Sequence, residues 1–197
     1  MSLNVLLVSD TMIKERTVIH GNIDPKLIYP DIKVAQDMYI KPLLGSALFD
    51  KLQTIISDGT ITDVGNVNYK LLMDKYIVDA LIYYTLSDLP TTLSYQFWNK
   101  GIVRKQGDNT TLPSMSELID ISNKYKQRAE FYTNACRLYL RQNAATMYLE
   151  YLNPGNGVDA TRPEQKSYTM PIYLGSDCDH YRTYEEKYQG NRPNCCD

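Results

Sequence analysis

The run from Pro113 to Leu152 constrains this chain more than any other stretch. In "PSMSE", Ser114 stands three residues before Glu117, the reciprocal pair that closes the open N–H groups at a helix start. From there Leu118, Ile121, Tyr125, Ala129, Tyr132, Ala135, Leu138, Ala145, Leu149 and Leu152 recur at helical spacing until "NPGNG". Unbroken from 115 to 152, such a helix would be about 57 Å long at ~1.5 Å per residue, more than a compact domain of this size needs. Part of it is expected to pack on something else, such as another copy.

Three earlier helices are expected. Asp24-Pro25 reads as a cap followed by proline at the first helical position, and Tyr29-Pro30-Asp31 can restart or kink the same helix. Ile32, Ala35, Tyr39 and Ile40 follow, and Pro42, which lacks an N–H, should stop the helix near Lys41. Ser46 then caps a second helix with Leu48, Leu52, Ile55 and Ile56 inward and Gly59 as its stop. A third helix runs from about Asn68 to Ser87 with Tyr69, Leu72, Met73, Tyr76, Ile77, Ala80, Leu81 and Tyr84 on one stripe, and Pro90 ends it.

Between the third and fourth helices, Tyr95 to Trp98 and Ile102 to Lys105 are short β-like runs around the turn signal Asn99-Lys100-Gly101, a small hairpin or extended arm. After Asn153 the periodicity stops. "SYTMPIYLG" sets Tyr168, Met170, Ile172 and Leu174 on one face of a single strand that needs a partner's sheet edge, with Pro171 suited to an edge position. The expected class is all-α: a four-helix bundle with a long final helix, a small β-hairpin or arm and an irregular C-terminal tail. Its organisation is an N-terminal segment 1–22, a helical core 23–152 carrying the arm at 90–113, and an extended tail 153–197.

Composition narrows the partners rather than naming one. With 22% charged residues and a net charge of −2, the 197-residue chain has no general attraction for nucleic acid or membrane. It contains no apolar stretch of ~18 residues, and Val5 to Val8 lack preceding basic residues, so neither a membrane span nor a signal peptide is expected. Tyrosine is abundant, 17 against 3 Phe and 1 Trp, which suits a surface buried against a partner and equally suits solvent-edged helix packing.

Chemistry has little to stand on. His20 and His180 sit in no catalytic pattern, and "NPGNG" follows a helix and lacks the third glycine of a dinucleotide loop. Cys178, His180, Cys195 and Cys196 are residue types that zinc takes, but adjacent cysteines are awkward ligands and no Cys-x-x-Cys hook is present. Asp177 and Asp179 lack the remaining oxygen ligands of a calcium loop, and Glu185-Glu186 has no pocket-forming context. The four cysteines do not space as a disulfide framework, so reduced thiols are expected. Lys100, Arg104 and Lys105 beside Phe97 and Trp98 suit a nucleic-acid contact, a solvated arm or an intersubunit salt bridge. No catalytic residue, cofactor or metal is expected.

Four stretches together carry a family likeness: "AQDMYIKPLLGSALFDKLQ", "YKLLMDKYIVDALIYYTL", "NKGIVRK" and the helix end "YLEYL". Over roughly residues 23 to 152 the chain resembles the helical head-to-tail connector proteins of tailed bacteriophages, especially those of phages infecting Bacteroides and of crAss-like phages. "IKPLLG" is the most specific element and "KGIVR" the second. The resemblance implies a structural virion protein at the capsid–tail junction. Its copies would form a ring, commonly a dodecamer, that contacts the portal protein and other ring or tail proteins and lets genomic double-stranded DNA pass. On that reading Phe97, Trp98, Ile102, Val103, Arg104 and Lys105 of the arm touch a neighbour or the portal, and Tyr168, Met170, Ile172, Tyr173 and Leu174 add to a partner's sheet. Two other readings are open: a soluble helical regulatory or binding module, separable by size measurement with a portal protein present, and a metal-dependent enzyme built on the tail Cys/His cluster, separable by elemental analysis.

Overall fold

The computed structural model describes residues 5–99, 101–104, 113–153, 155 and 160–164. The fold is all-α, and its subdivision among the described residues is finer than four helices. They are α1 (Asp10–Arg16), α2 (Pro25–Ala35), α3 (Lys41–Leu44), α4 (Ser46–Ser57), α5 (Val67–Leu72), α6 (Val78–Ser94), α7 (Met115–Met147) and α8 (Leu149–Leu152), with strands β1 (Tyr95–Trp98) and β2 (Gly101–Arg104) between α6 and α7. Asp24 caps α2 by accepting from the Lys26 N–H with Pro25 just inside, and Ser114 and Glu117 close the reciprocal cap of α7, both as expected.

Two prolines were expected to end helices and do not. The helix that starts at Pro25 runs through Pro42 to Leu44, because a wide π turn over Gln36–Ile40 joins α2 to α3. In that turn the Lys41 N–H bonds the Gln36 carbonyl five residues back. The extra residue widens the helix directly before the ring, which would otherwise press on the carbonyl four residues behind it. Pro90 likewise lies inside α6, which continues to Ser94. Buried Leu89 and the Thr92 hydroxyl, which bonds Asp31 of α2, hold that last stretch in place. A second π turn, Met73–Ile77, joins α5 to α6.

What breaks the first helix is Gly45, with φ +77° and ψ 162°. Ser46 does not cap α4. Its N–H donates to the Thr161 carbonyl at 3.0 Å and its hydroxyl accepts from the Thr161 N–H at 3.2 Å. The Glu164 N–H donates to the Pro42 carbonyl at 2.9 Å, so residues 161–164 lie as a strap across the corner. At the far end of α4, Thr60 N–H bonds the Ile55 carbonyl and Gly59 N–H that of Ile56, the paired closure expected of a left-handed glycine stop.

The N-terminal segment joins the core: Leu7, Val8 and Ile13 are buried with α2, α4 and α6 residues. Buried Gln36 fastens it, accepting from the Leu7 N–H at 2.9 Å and donating to the Val5 carbonyl at 3.0 Å, with Gln53 adding a second donor to Val5.

The pairing of α7 with α6 and with the π turn ahead of it is built on tyrosines seven residues apart. Tyr76 stacks on Tyr139 at 4.5 Å between centroids, and Tyr83 on Tyr132 at 5.5 Å. Arg128 sits over the Tyr83 and Tyr125 rings at 5.9 and 5.7 Å. The expected stripe of α5–α6 is inward throughout, buried or half-buried. That of α7 holds at Leu118, Tyr125, Ala129, Tyr132 and Ala135, with Ile121 exposed among them, and fails from Leu138 on. Leu138, Ala145, Leu149 and Leu152 face outward, while Thr133, Cys136, Arg137, Leu140 and Ala144 face the core. Leu138 and Ala145 continue a seven-residue step from exposed Phe131, one residue out of phase with the inward line of Leu118, Tyr125 and Tyr132, so this line faces outward from its start. The helix also ends before 152. Tyr148, at φ −135° and ψ 66°, turns its ring inward, and its hydroxyl donates to the Asn68 carbonyl at 2.8 Å.

A Cβ at Gly45 would stand 2.8 Å from Pro163 Cδ, in a backbone region that side chains rarely adopt. Gly45→Ala is therefore expected to cost ~1–3 kcal/mol in urea unfolding. Gly65→Ala, where nothing lies within 4 Å, should change stability by less than ~1 kcal/mol.

Candidate interaction surface

The arm is a two-stranded antiparallel ribbon. Tyr95 pairs with Arg104, Gln96 with Val103, Phe97 with Ile102 and Trp98 with Gly101. Gly101, expected in the turn, is instead the first residue of β2 at φ +126°, so the strand begins one residue early and ends at Arg104. This register places Phe97, Trp98, Ile102, Val103 and Arg104 together in one ribbon, with Ile102 63% exposed. The base of the ribbon meets α7, where the Tyr95 hydroxyl donates to Met115 Sδ at 3.9 Å. Lys105 and the tail residues Tyr168, Met170, Ile172, Tyr173 and Leu174 lie outside the described residues, as do Cys178, His180, Cys195 and Cys196.

Sequence reasoning missed a second group of exposed apolar side chains. Met115, Ile119 and Ile121 are exposed at the start of α7, beside the ribbon base. Further along, Phe131 is 69% and Leu138 59% exposed, and Leu149 and Leu152 of α8 are open beyond the far end. The available signal was the seven-residue step of Phe131 and Leu138, which marks an outer seam when another line of residues already fills the inner one.

A polar seam lies on the side of α6 that faces α2. Asp31 is buried, with Oδ1 accepting from the Thr92 hydroxyl at 3.1 Å and Oδ2 unpartnered. Burial pushes the Asp31 carboxyl above the usual range, the Thr92 bond opposes this, and nearby Asp88 adds to it. Asp88 is also raised by burial, against the pull of Ser87 and Lys126. Tyr39 stacks flat on Tyr84 at 3.9 Å, and burial raises both phenols, helped by the charge of Glu130. At the α7–α8 corner, burial and then the Glu150 carboxylate push Tyr69 up to about 12. Burial likewise pushes the Cys136 thiol up to about 12, so it is not a nucleophile at neutral pH.

Among the described residues no three His, Cys, Asp or Glu side chains stand close enough to hold a metal ion, and no helix is long and apolar enough to cross a membrane. Burial of Asp31 and Asp88 gives the seam a proton equilibrium. A carboxyl raised in the native state favours folding while it is protonated. Asp31 should thus weaken the fold as pH rises from the ordinary carboxylate pKa of about 4 through its raised native value. Asp31→Asn is expected to have the higher urea midpoint at pH 7, with the difference from the natural chain closing towards pH 3.

No curated protein and no solved structure matches the chain. Residues 40–161 match a family profile, a span that opens at the joint, on Ile40, and closes on Thr161, the residue that bonds Ser46 across the corner. The chain belongs to the family of unknown function DUF6712.

Proposed function

We propose that the chain is the structural subunit of a ring between portal and tail, a head-to-tail connector that continues the DNA channel of a virion. The proposal starts from the likeness of "IKPLLG" and "KGIVR" to such proteins. The observation that carries it furthest is the placement of exposed apolar residues. Ile102 stands on the ribbon, Met115, Ile119 and Ile121 lie at the start of α7 where the base of the ribbon meets it, and Leu149 and Leu152 stand past its other end. The helix between them has 33 residues and spans about 50 Å at ~1.5 Å per residue.

A closed ring needs such an arrangement, one patch meeting a different patch on the next subunit. The outward seam of Phe131 and Leu138 adds contact area along the same helix. A net charge of −2 also suits a conduit, because a strongly basic wall would hold passing DNA electrostatically.

Native mass measurement and cryo-microscopy of the full chain, with and without a portal protein, test the proposal. A closed oligomer is expected. Ile102→Asp and Leu149→Asp should each lower its population at least tenfold while leaving the helical circular dichroism of the subunit unchanged. A chain that stays monomeric at high concentration in both settings sinks the ring.

A further inference from the structure

The strap over the joint is held by groups that any copy of it could offer. The Ser46 N–H donates to the Thr161 carbonyl at 3.0 Å, the Thr161 N–H donates to the Ser46 hydroxyl at 3.2 Å, and the Glu164 N–H donates to the Pro42 carbonyl at 2.9 Å. Between these bonded residues lies Pro163, which has no N–H to satisfy, with its Cδ 2.8 Å from where a Gly45 Cβ would stand. The strap's partners in the three bonds are main-chain groups, and the ring against the bare glycine selects the sequence. Extended peptides dock on folds by the same division of labour.

The strap lies on the core without entering it. Residues 160–164 include no buried side chain, Arg162 and Glu164 are exposed, and the core under the corner is built from Leu43 and Leu44 of α3 with Leu48 and Leu52 of α4. A segment with few buried contacts and hydrogen bonds near solvent opens without global unfolding. Lifting it leaves a socket already formed: the Ser46 N–H and hydroxyl, the Pro42 carbonyl and the surface of Gly45, on two helix ends that the core keeps in place.

Between Leu152, the last residue of α8, and Thr161 the sequence reads "NPGNGVDA", eight residues that reach at most ~30 Å when extended. The same contacts form whether the strap comes from this chain or from a second copy, so linker length and local concentration decide between the two. We propose that the joint, residues 42–46, is a docking socket for segment 161–164 of a second copy, which replaces the chain's own strap when two subunits lie side by side. Exchange needs two copies and no closed ring, so it stands or falls separately from the connector reading.

Deuterium uptake at the Ser46 amide reports whether the socket is filled, because that N–H is bonded to the Thr161 carbonyl. An isotope-labelled full chain carrying Pro163→Gly and Glu164→Pro loses the ring and one donor, and its Ser46 amide should exchange at least tenfold faster than in the natural chain. Two unlabelled probes are then added in turn. The first is a synthetic peptide of residues 158–166, which should slow the exchange saturably and should half-saturate at several-fold higher concentration when it carries Pro163→Gly. The second is a full chain carrying Gly45→Ala, whose own socket is blocked while its strap is intact, with Ser46→Ala in its place should that chain fail to fold. This second copy should slow Ser46 exchange in the labelled chain, and the same donor with Pro163→Gly added should not. A strap that only braces its own joint gives no rescue by a separate molecule. The proposal is overturned if the paired substitutions leave Ser46 exchange at the natural rate, if the peptide leaves it fast at millimolar concentration, or if the peptide slows it and the second copy does not.

Discussion

The antiparallel pairing of α6 with α7 sets the position of everything around it, and stacked phenol rings set its register. Tyr76 faces Tyr139 and Tyr83 faces Tyr132, so one residue number falls by seven as the other rises by seven. A slip of one residue along either helix would turn each ring ~100° away from its mate. Beyond the stacked pairs, Tyr69 meets Tyr148 edge-on at 5.8 Å and Tyr139 meets Tyr148 at 6.0 Å, which carries the seam around the corner into α8. The corner is then pinned by polar bonds, Tyr148 to the Asn68 carbonyl and Tyr69 to Glu150.

Tyrosine rather than phenylalanine suits this seam because its rings are half-buried: the faces stack while the hydroxyls sit at the edge and bond or meet water. The abundance of tyrosine left packing and assembly both open as readings of the sequence. Among the described residues Tyr39, Tyr69, Tyr76, Tyr83, Tyr84, Tyr125, Tyr132, Tyr139 and Tyr148 all contact another tyrosine ring within the chain. Packing therefore accounts for most of the described tyrosines, and the exposed large side chains among the described residues are mainly aliphatic, including Ile102, Ile119, Leu138 and Leu149, with Tyr29 and Phe131 aromatic.

What could be read in advance was local. The Ser114–Glu117 cap, the Asp24 cap and the Gly59 stop each depend on a few neighbouring residues, and each formed as the sequence indicates. The errors arose where a distant contact overrode a local preference. Pro42 should end a helix on its own terms, but a π turn ahead of it and a core around Leu43 and Leu44 keep the helix going. Ser46 is a good cap by type, yet its hydroxyl and N–H are engaged by Thr161, 115 residues away. In the second half of α7 the exposed Leu138 and Ala145 mislead, because Thr133 and Arg137, polar residues that no hydrophobic stripe selects, share the buried side with Cys136, Leu140 and Ala144. The ribbon was legible because its turn and strand propensities sit within ten residues of one another, but the exposure of its neighbours on α7 was not.

The joint shows how a short run of residues can be held by a strap far along the chain. Gly45 is required twice over, by its left-handed backbone and by Pro163 lying where a side chain would be. Pro42 is tolerated because the π turn precedes it, and its carbonyl, near the helix end, accepts from the Glu164 N–H. Pro42, Gly45 and Ser46 thus answer to the strap, with Leu43 and Leu44 buried in the core beneath. A sequence change in the joint would have to be matched by one in the strap more than a hundred residues later. Such long-range agreement ties the joint to the strap for structural reasons alone.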